Sequence, residues 1–167
     1  LNLLKSYISK DFVKVVNLLL KNKGKIVVSG IGKSGHIASK IASTLSSVGS
    51  PSFYIHPSEA NHGDLGMLEK KDAVILISNS GETSELINLI LYCKKIGIPI
   101  ISITSELNST LSRESNLNLL IPKNIEACPL ELAPTSSTTC TLALGDALAV
   151  TLLKKKKFTK SDFRELH

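Results

Sequence analysis

The 167-residue chain contains no tryptophan, and its three tyrosines and four phenylalanines stand singly. No stacking platform for nucleic-acid bases can be built from so few scattered rings. Cysteine is scarce as well: Cys93, Cys128 and Cys140 are odd in number and widely spaced, with no CxxC pair. That argues against zinc and dithiol redox chemistry and predicts three reduced, packed thiols. No uninterrupted apolar run approaches the length needed to cross a bilayer, and no charged-then-apolar leader opens the chain, so a cytoplasmic protein without a membrane partner is expected. Repeats, linkers and low-complexity stretches are missing too, which leaves one domain over 1–167.

What is present is a chain 43% hydrophobic with a formal net charge of +6. The first number predicts a folded domain with a real core. The second admits nucleic acid, but the basic residues are spread out except at Lys154-Lys155-Lys156-Lys157, which ends a long apolar helix pattern where cations complement the dipole. An anionic small substrate accounts for the charge equally well, and no nucleic acid is expected as a partner.

Leu4, Ile8, Phe12, Val15, Val16 and Leu19 recur at helical steps from Leu1 to about Lys21, predicting one amphipathic helix ended by Asn22-Lys23-Gly24. Short apolar runs predict strands over 25–29, 52–56, 73–78, 100–104 and 117–121, the second closed by Pro57. Helix patterns follow Gly35, Leu86 and Thr135, with short helices over 110–114 and after Thr159; Gly145 lets the long one pack closely. Strands apolar on both faces, alternating with helices, indicate a parallel sheet covered on both sides. The expected fold is a three-layer α/β/α sandwich with a five-stranded parallel, flavodoxin-like sheet.

Ligands of such sheets gather at the carboxyl ends of the strands near the topological switch point, so the loops after the first and third strands are expected to share a pocket. Gly30, Gly32 and Gly35 satisfy G-x-G-x-x-G, yet His56-Pro57 stands where a nicotinamide site wants an acid. Gly32-Lys33-Ser34 imitates a P-loop, but the required first glycine falls at Val27. A glycine loop carrying a lysine remains. After the third strand, Ser78-Asn79-Ser80-Gly81-Glu82-Thr83-Ser84-Glu85 puts hydroxyls and a glycine at a helix start, a setting suited to a phosphate.

Gly32-Lys33-Ser34-Gly35-His36, His62-Gly63-Asp64-Leu65-Gly66, the 78–85 stretch, Glu126-Ala127-Cys128-Pro129 and 132–138 (LAPTSST), in this order and over nearly the whole chain, together resemble a sugar isomerase (SIS) domain. More narrowly they are similar to the bacterial D-arabinose 5-phosphate isomerases. The resemblance implies interconversion of D-ribulose 5-phosphate and D-arabinose 5-phosphate on the route to Kdo and lipopolysaccharide, without cofactor or metal, in a homotetramer. Members of that family commonly continue into a His-Pro-Gly-Gly motif and a tandem CBS pair; this chain stops at His167 and begins without Met, so an excised or naturally short catalytic domain is expected.

Aldose–ketose isomerisation needs a base and a group that stabilises an enediolate oxyanion. The resemblance implies Lys33, Glu85, Glu126 and His167 as the catalytic set, with the base open among the last three and His167 serving a neighbouring subunit. For substrate and phosphate the expected residues are Gly32, Ser34, His62, Ser78, Ser80, Gly81 and Thr83, with Thr135, Ser136 and Ser137 contributing hydroxyls at the start of the long helix. His36 and His56 have weaker claims. Two other readings stay open: a different SIS sugar-phosphate isomerase, and a non-catalytic sugar-phosphate or nucleotide-sugar sensor.

Overall fold

Four runs of mainly aliphatic residues and one, Ser-Phe-Tyr-Ile, built on aromatics form the strands β1 (Ile26–Ser29), β2 (Ser52–Ile55), β3 (Ala73–Ile77), β4 (Ile100–Thr104) and β5 (Leu117–Leu120), β2 being the aromatic one, of this computed structural model, which describes residues 2–123 and 126–166. The helices are α1 (Leu4–Tyr7), α2 (Lys10–Lys21), α3 (Lys33–Ser47), α4 (Pro57–Ala60), α5 (Ile87–Ile96), α6 (Thr110–Glu114), α7 (Ser136–Lys155) and α8 (Lys160–Glu165). All strand pairs are parallel, in the order β2-β1-β3-β4-β5. Strands β1, β3 and β4 are buried throughout, as their largely apolar sequences require, with the buried hydroxyls of Ser29, Ser102 and Thr104 each hydrogen-bonded.

Alternation along each strand divides the core. Val28, Ile75 and Ile101 join one cluster with α2, α3 and α7, while Val27, Leu76 and Ile100 join another with α4, α5 and α6. The expected three-layer sandwich is therefore the observed one. Each fully buried leucine or isoleucine stabilises it by about 1.5–3 kcal/mol. On the first face α3 crosses α7 at Gly145, where a Cβ would come within 2.4 Å of Ile41 Cδ1. The order reverses between β1 and β3, so the switch point lies where their loops leave the sheet.

Three expectations need correction. The N-terminal helix is two, because the Ser9 hydroxyl accepts from Asp11 N–H at 3.2 Å and caps α2, leaving Ile8 44% exposed. Pro57 does not merely close β2; it starts α4, capped by His56 Nδ1, which accepts from Ser58 N–H at 3.2 Å. Helix α7, among the described residues the one long and apolar enough to cross a membrane by length and composition, is the buried helix expected, held in the core by Leu144, Leu148 and Leu152. Finally, Cys93 and Cys140 are buried but Cys128 is only half-buried. Burial pushes the Cys93 thiol up to about 12, whereas N–H groups of Ala133, Leu130, Leu132 and Glu131 draw the Cys128 thiol below its ordinary range.

Candidate active site

The first wall comes from the β1–α3 loop. Tyr54 donates to the Gly30 carbonyl at 2.9 Å, and a Cβ on Gly35 would meet that carbonyl at 2.8 Å and the Tyr54 hydroxyl at 2.9 Å. Gly35 thus serves close packing. Gly32, at φ +58 with open space around it, turns the chain into α3, so that Lys33 becomes the first helical residue and is exposed. A cation at the positive end of a 15-residue helix has the unfavourable sign, and no acidic residue occupies that first turn.

The second wall is the β3–α5 loop. Ser78 is buried; its hydroxyl lies 2.7 Å from that of Thr83 and accepts from Gly81 N–H at 3.0 Å. The hydroxyls of Ser78 and Thr83 are therefore engaged with each other in the loop, and Ser80 Oγ accepts from Glu82 N–H at 3.3 Å. Gly81, at φ +68, sits where a Cβ would lie 2.0 Å from Ser109 Oγ. The Asn79 carbonyl accepts from Ser105 N–H at 3.0 Å, from Ser105 Oγ at 2.9 Å and from Thr104 Oγ1 at 3.1 Å. Contrary to the sequence reading, this loop does not run straight into α5. A 3-10 turn, Ser84–Leu86, intervenes. The helix it caps is α6: Thr110 N–H donates to Glu82 Oε1 at 2.7 Å, which with the Thr110 hydroxyl contact holds that carboxyl below its ordinary range.

The third wall is the segment before α7. Glu126 Oε2 accepts from Thr135 N–H at 2.7 Å, Thr135 Oγ1 at 3.1 Å and Ser137 N–H at 3.3 Å, and Oε1 accepts from the Ser137 hydroxyl. Burial works against ionisation here, but the Ser137 hydroxyl and the N–H groups of Thr135 and Ser137 prevail and bring the carboxyl from 4.5 to about 2. The cap of α7 is thus a distant glutamate, and Thr135 instead donates to Glu126 and accepts from Ala127 N–H at 2.9 Å.

These walls enclose two adjoining cavities of about 220 and 480 Å³. Asn79, Glu126, Glu131 and Ser137 line both; Ser34 and Thr138 line the smaller, Ser80 and Lys123 the larger. Of the expected residues, Ser34, Ser80, Glu126 and Ser137 therefore meet at the cleft. Lys33, Glu85, His62 and Ser136 do not line these two cavities, and neither do Gly32, Ser78, Gly81, Thr83 and Thr135, which shape the loops behind them. Lys33, Glu85 and His62 are exposed, and Glu85 Oε2 accepts from Ser84 Oγ at 3.1 Å. His167 lies outside the described residues. Asn79, Glu131 and Lys123 were not singled out from sequence. Asn79 stands at the carboxyl end of β3, a position that could have marked it. Glu131 carried no signal: it reaches the cleft from a left-handed backbone, φ +54.

An open parallel sheet whose switch-point loops bring Ser34, Ser80 and Glu126 to one cleft, with helices on both faces, defines a flavodoxin-like α/β domain. The SIS domain model matches residues 19–151, and the chain belongs to that family. It is 53% identical over 160 residues to arabinose 5-phosphate isomerase KdsD of Pseudomonas aeruginosa, covering 96% of this chain and 49% of that protein. To KdsD of Francisella tularensis it is 51% identical over 167 residues, covering 98% and 51%. The chain spans about half the length of these curated relatives. Among solved structures, Escherichia coli CFT073 c3406 in complex with arabinose 5-phosphate matches with a TM-score of 0.94 and 45% identity, covering 98% of this chain and 89% of that one.

Proposed function

We propose that this domain interconverts D-arabinose 5-phosphate and D-ribulose 5-phosphate in the cytoplasm, supplying the aldose for Kdo and lipopolysaccharide synthesis. The observation that carries the reading is the meeting of Ser34, Ser80 and Glu126 from three separate segments at one cleft, in a chain 45% identical to a protein solved with arabinose 5-phosphate. The reaction removes the proton on C2 of the aldose, shifts a hydroxyl proton between O2 and O1 through an enediolate, and returns a proton to C1. Nothing is oxidised overall.

A carboxyl brought to about 2 is a poor acceptor for a carbon-bound proton at neutral pH, so Glu126 holds the start of α7 and orients sugar hydroxyls. The base is Glu85, whose carboxylate is exposed and touched by the Ser84 hydroxyl. Lys33, the wrong-signed cation at the start of α3, receives the anionic oxygen. Ser80, which lines the cleft, takes the phosphate, while Ser78, Gly81 and Thr83 bond to one another and hold the loop that presents it. Purified protein is expected to convert either pentose 5-phosphate into the other and to exchange solvent deuterium into the C2 position. A folded protein that binds both sugars without exchange is a sensor, and the enzymatic reading is then lost.

Lys33 and Glu85 lie outside the cavities that Glu126 lines, which supports a homo-oligomer in which neighbouring copies complete each site. Glu85→Gln and Glu126→Gln subunits, each inactive alone, are expected to regain up to about a quarter of the wild-type rate when unfolded together and reassembled. No recovery would place every site within one chain.

A further inference from the structure

The opposite end of the sheet is strongly basic. Of the chain's twenty lysines and arginines, eleven lie on the connections that lead into the strands or in the turns that end α2, α5 and α7: three in 21–25, two each in 70–71 and 94–95, and four in 154–157. Lys156 fixes the last group there, donating to the Gly49 carbonyl at 3.1 Å and to Ser50 Oγ at 2.8 Å just before β2. The carboxylates on the same connections are Glu69, Asp72 and Glu114. Glu69 holds Lys25 and Lys71, and Glu114 holds Lys94. Asp72 is buried, its oxygens accepting from the N–H groups of Lys25 at 2.7 Å and Glu69 at 2.8 Å.

Within this edge lies a groove of about 340 Å³ lined by Leu18, Lys21, Lys23, Lys70 and Pro99, and completed by Asn22, the ion-paired Lys71 and the buried Asp72, whose oxygens face backbone N–H groups. Its floor is carbon: Leu18, Pro99 and the lysine stems, with Lys70 laid against Gly97. Lys21, Lys23 and Lys70 have no ion-pair partner among the described residues. The dipole at the end of α2 accounts for Lys21 alone.

We propose that this groove docks an acidic segment of a partner protein, one that places carboxylates against the three free ammonium groups and an apolar side chain on Leu18 and Pro99. The lining decides against the other polyanions. It has no aromatic side chain on which a base could stack and no arginine to grip a phosphate in two-pronged fashion. A lipid headgroup layer would meet the ammonium groups but leave the apolar floor unfilled. An acidic peptide with interspersed leucines satisfies both, and its affinity falls with salt because the charges are exposed.

The experiment follows the fluorescence anisotropy of a short labelled peptide alternating glutamate and leucine. Saturable binding is expected, weakened about tenfold or more by the triple variant Lys21→Gln, Lys23→Gln, Lys70→Gln and by raised salt, and unchanged by Lys33→Gln at the far end of the sheet. The triple variant keeps its thermal transition and its isomerase rate, so the outcome is independent of the proposed activity. Absence of saturable binding, or equal binding by the triple variant, overturns the proposal. So does tighter binding of a single-stranded oligonucleotide, or of vesicles of anionic phospholipid, that is lost in the same variant.

Discussion

The β3–α5 loop and the segment from Glu126 to Thr135 both build the cleft, and they do so by opposite means. Inside, the first is held by neutral groups: the paired hydroxyls of Ser78 and Thr83, the N–H of Gly81 on Ser78, and the Asn79 carbonyl gripped by Thr104 and Ser105, with the Glu82 carboxylate reaching outward to α6. The second is held by one ionised carboxylate at the positive end of a 20-residue helix, and leaves Leu130 74% and Leu132 79% exposed. A turn whose inner contacts are hydroxyls and amides keeps those contacts whatever the protonation of the carboxylates around it. A loop built around an anion brings a fixed negative charge to its own helix, and its shape depends on that charge. A sugar phosphate, anionic at one end and hydroxylated along its length, suits a cleft with one wall of each kind.

The sharpest way to break the neutral wall is Gly81→Ala. The added methyl would lie 2.0 Å from Ser109 Oγ and 2.4 Å from its Cβ, on a backbone at φ +68 that L-residues rarely adopt. Overpacking and backbone strain together are expected to cost about 2–4 kcal/mol, read as a lower denaturant midpoint. Because Gly81 O also accepts from Leu111 N–H at 3.0 Å, the damage reaches α6, and activity should fall with stability. A variant as stable as wild type would show that the loop is softer than its contacts imply.

A smaller effect tests the charged wall. The Glu126 carboxyl titrates at about 2 in the fold against 4.5 ordinarily, so its contribution is present above 4.5 and is lost as the pH falls through about 2. Glu126→Gln is therefore expected to be less stable than wild type at neutral pH, with the gap closing as the pH drops from 4.5 toward 2. Ser78→Ala, which loosens the neutral wall, is expected to show a gap independent of pH over the same range. Thermal melts of the three proteins across that window decide it: parallel curves for wild type and Glu126→Gln would remove the charged hold.

The two walls also differ in how far they were legible. The strands were readable because β1, β3 and β4 are apolar on both faces, and the limits 100–104 and 110–114 agree with β4 and α6. The hydroxyl loop was readable as a polar turn after a buried strand. Its internal pairing of Ser78 with Thr83 was not, since sequence cannot tell a hydroxyl offered to a ligand from one offered to its neighbour. Glu126 was legible only as an acid in a loop. Local capping signals look three residues ahead, whereas this carboxylate reaches Thr135 and Ser137, and no spacing rule anticipates that. The break at Ser9 was readable in principle from its serine and Asp11, and was hidden by the apolar period running through it.

The smallest expected effect probes the one residue of the charged wall that pays for its position. Glu131 sits at φ +54, with its N–H donating to the Cys128 carbonyl at 2.8 Å, and lines both cavities. A non-glycine residue in the left-handed region costs about 1 kcal/mol, which glycine avoids while losing somewhat more chain entropy on folding. Glu131→Gly is therefore expected to raise stability by about 0.5–1 kcal/mol, a rise of about 1–4 °C in Tm for a chain of this size. If Tm falls instead, the carboxylate is anchoring the segment and the left-handed turn is not a source of strain. Since the same substitution removes a negative charge from the cleft, KM for the sugar phosphate is expected to fall or stay level, and a rise in KM would make Glu131 a contact for the substrate hydroxyls beside the ionised Glu126.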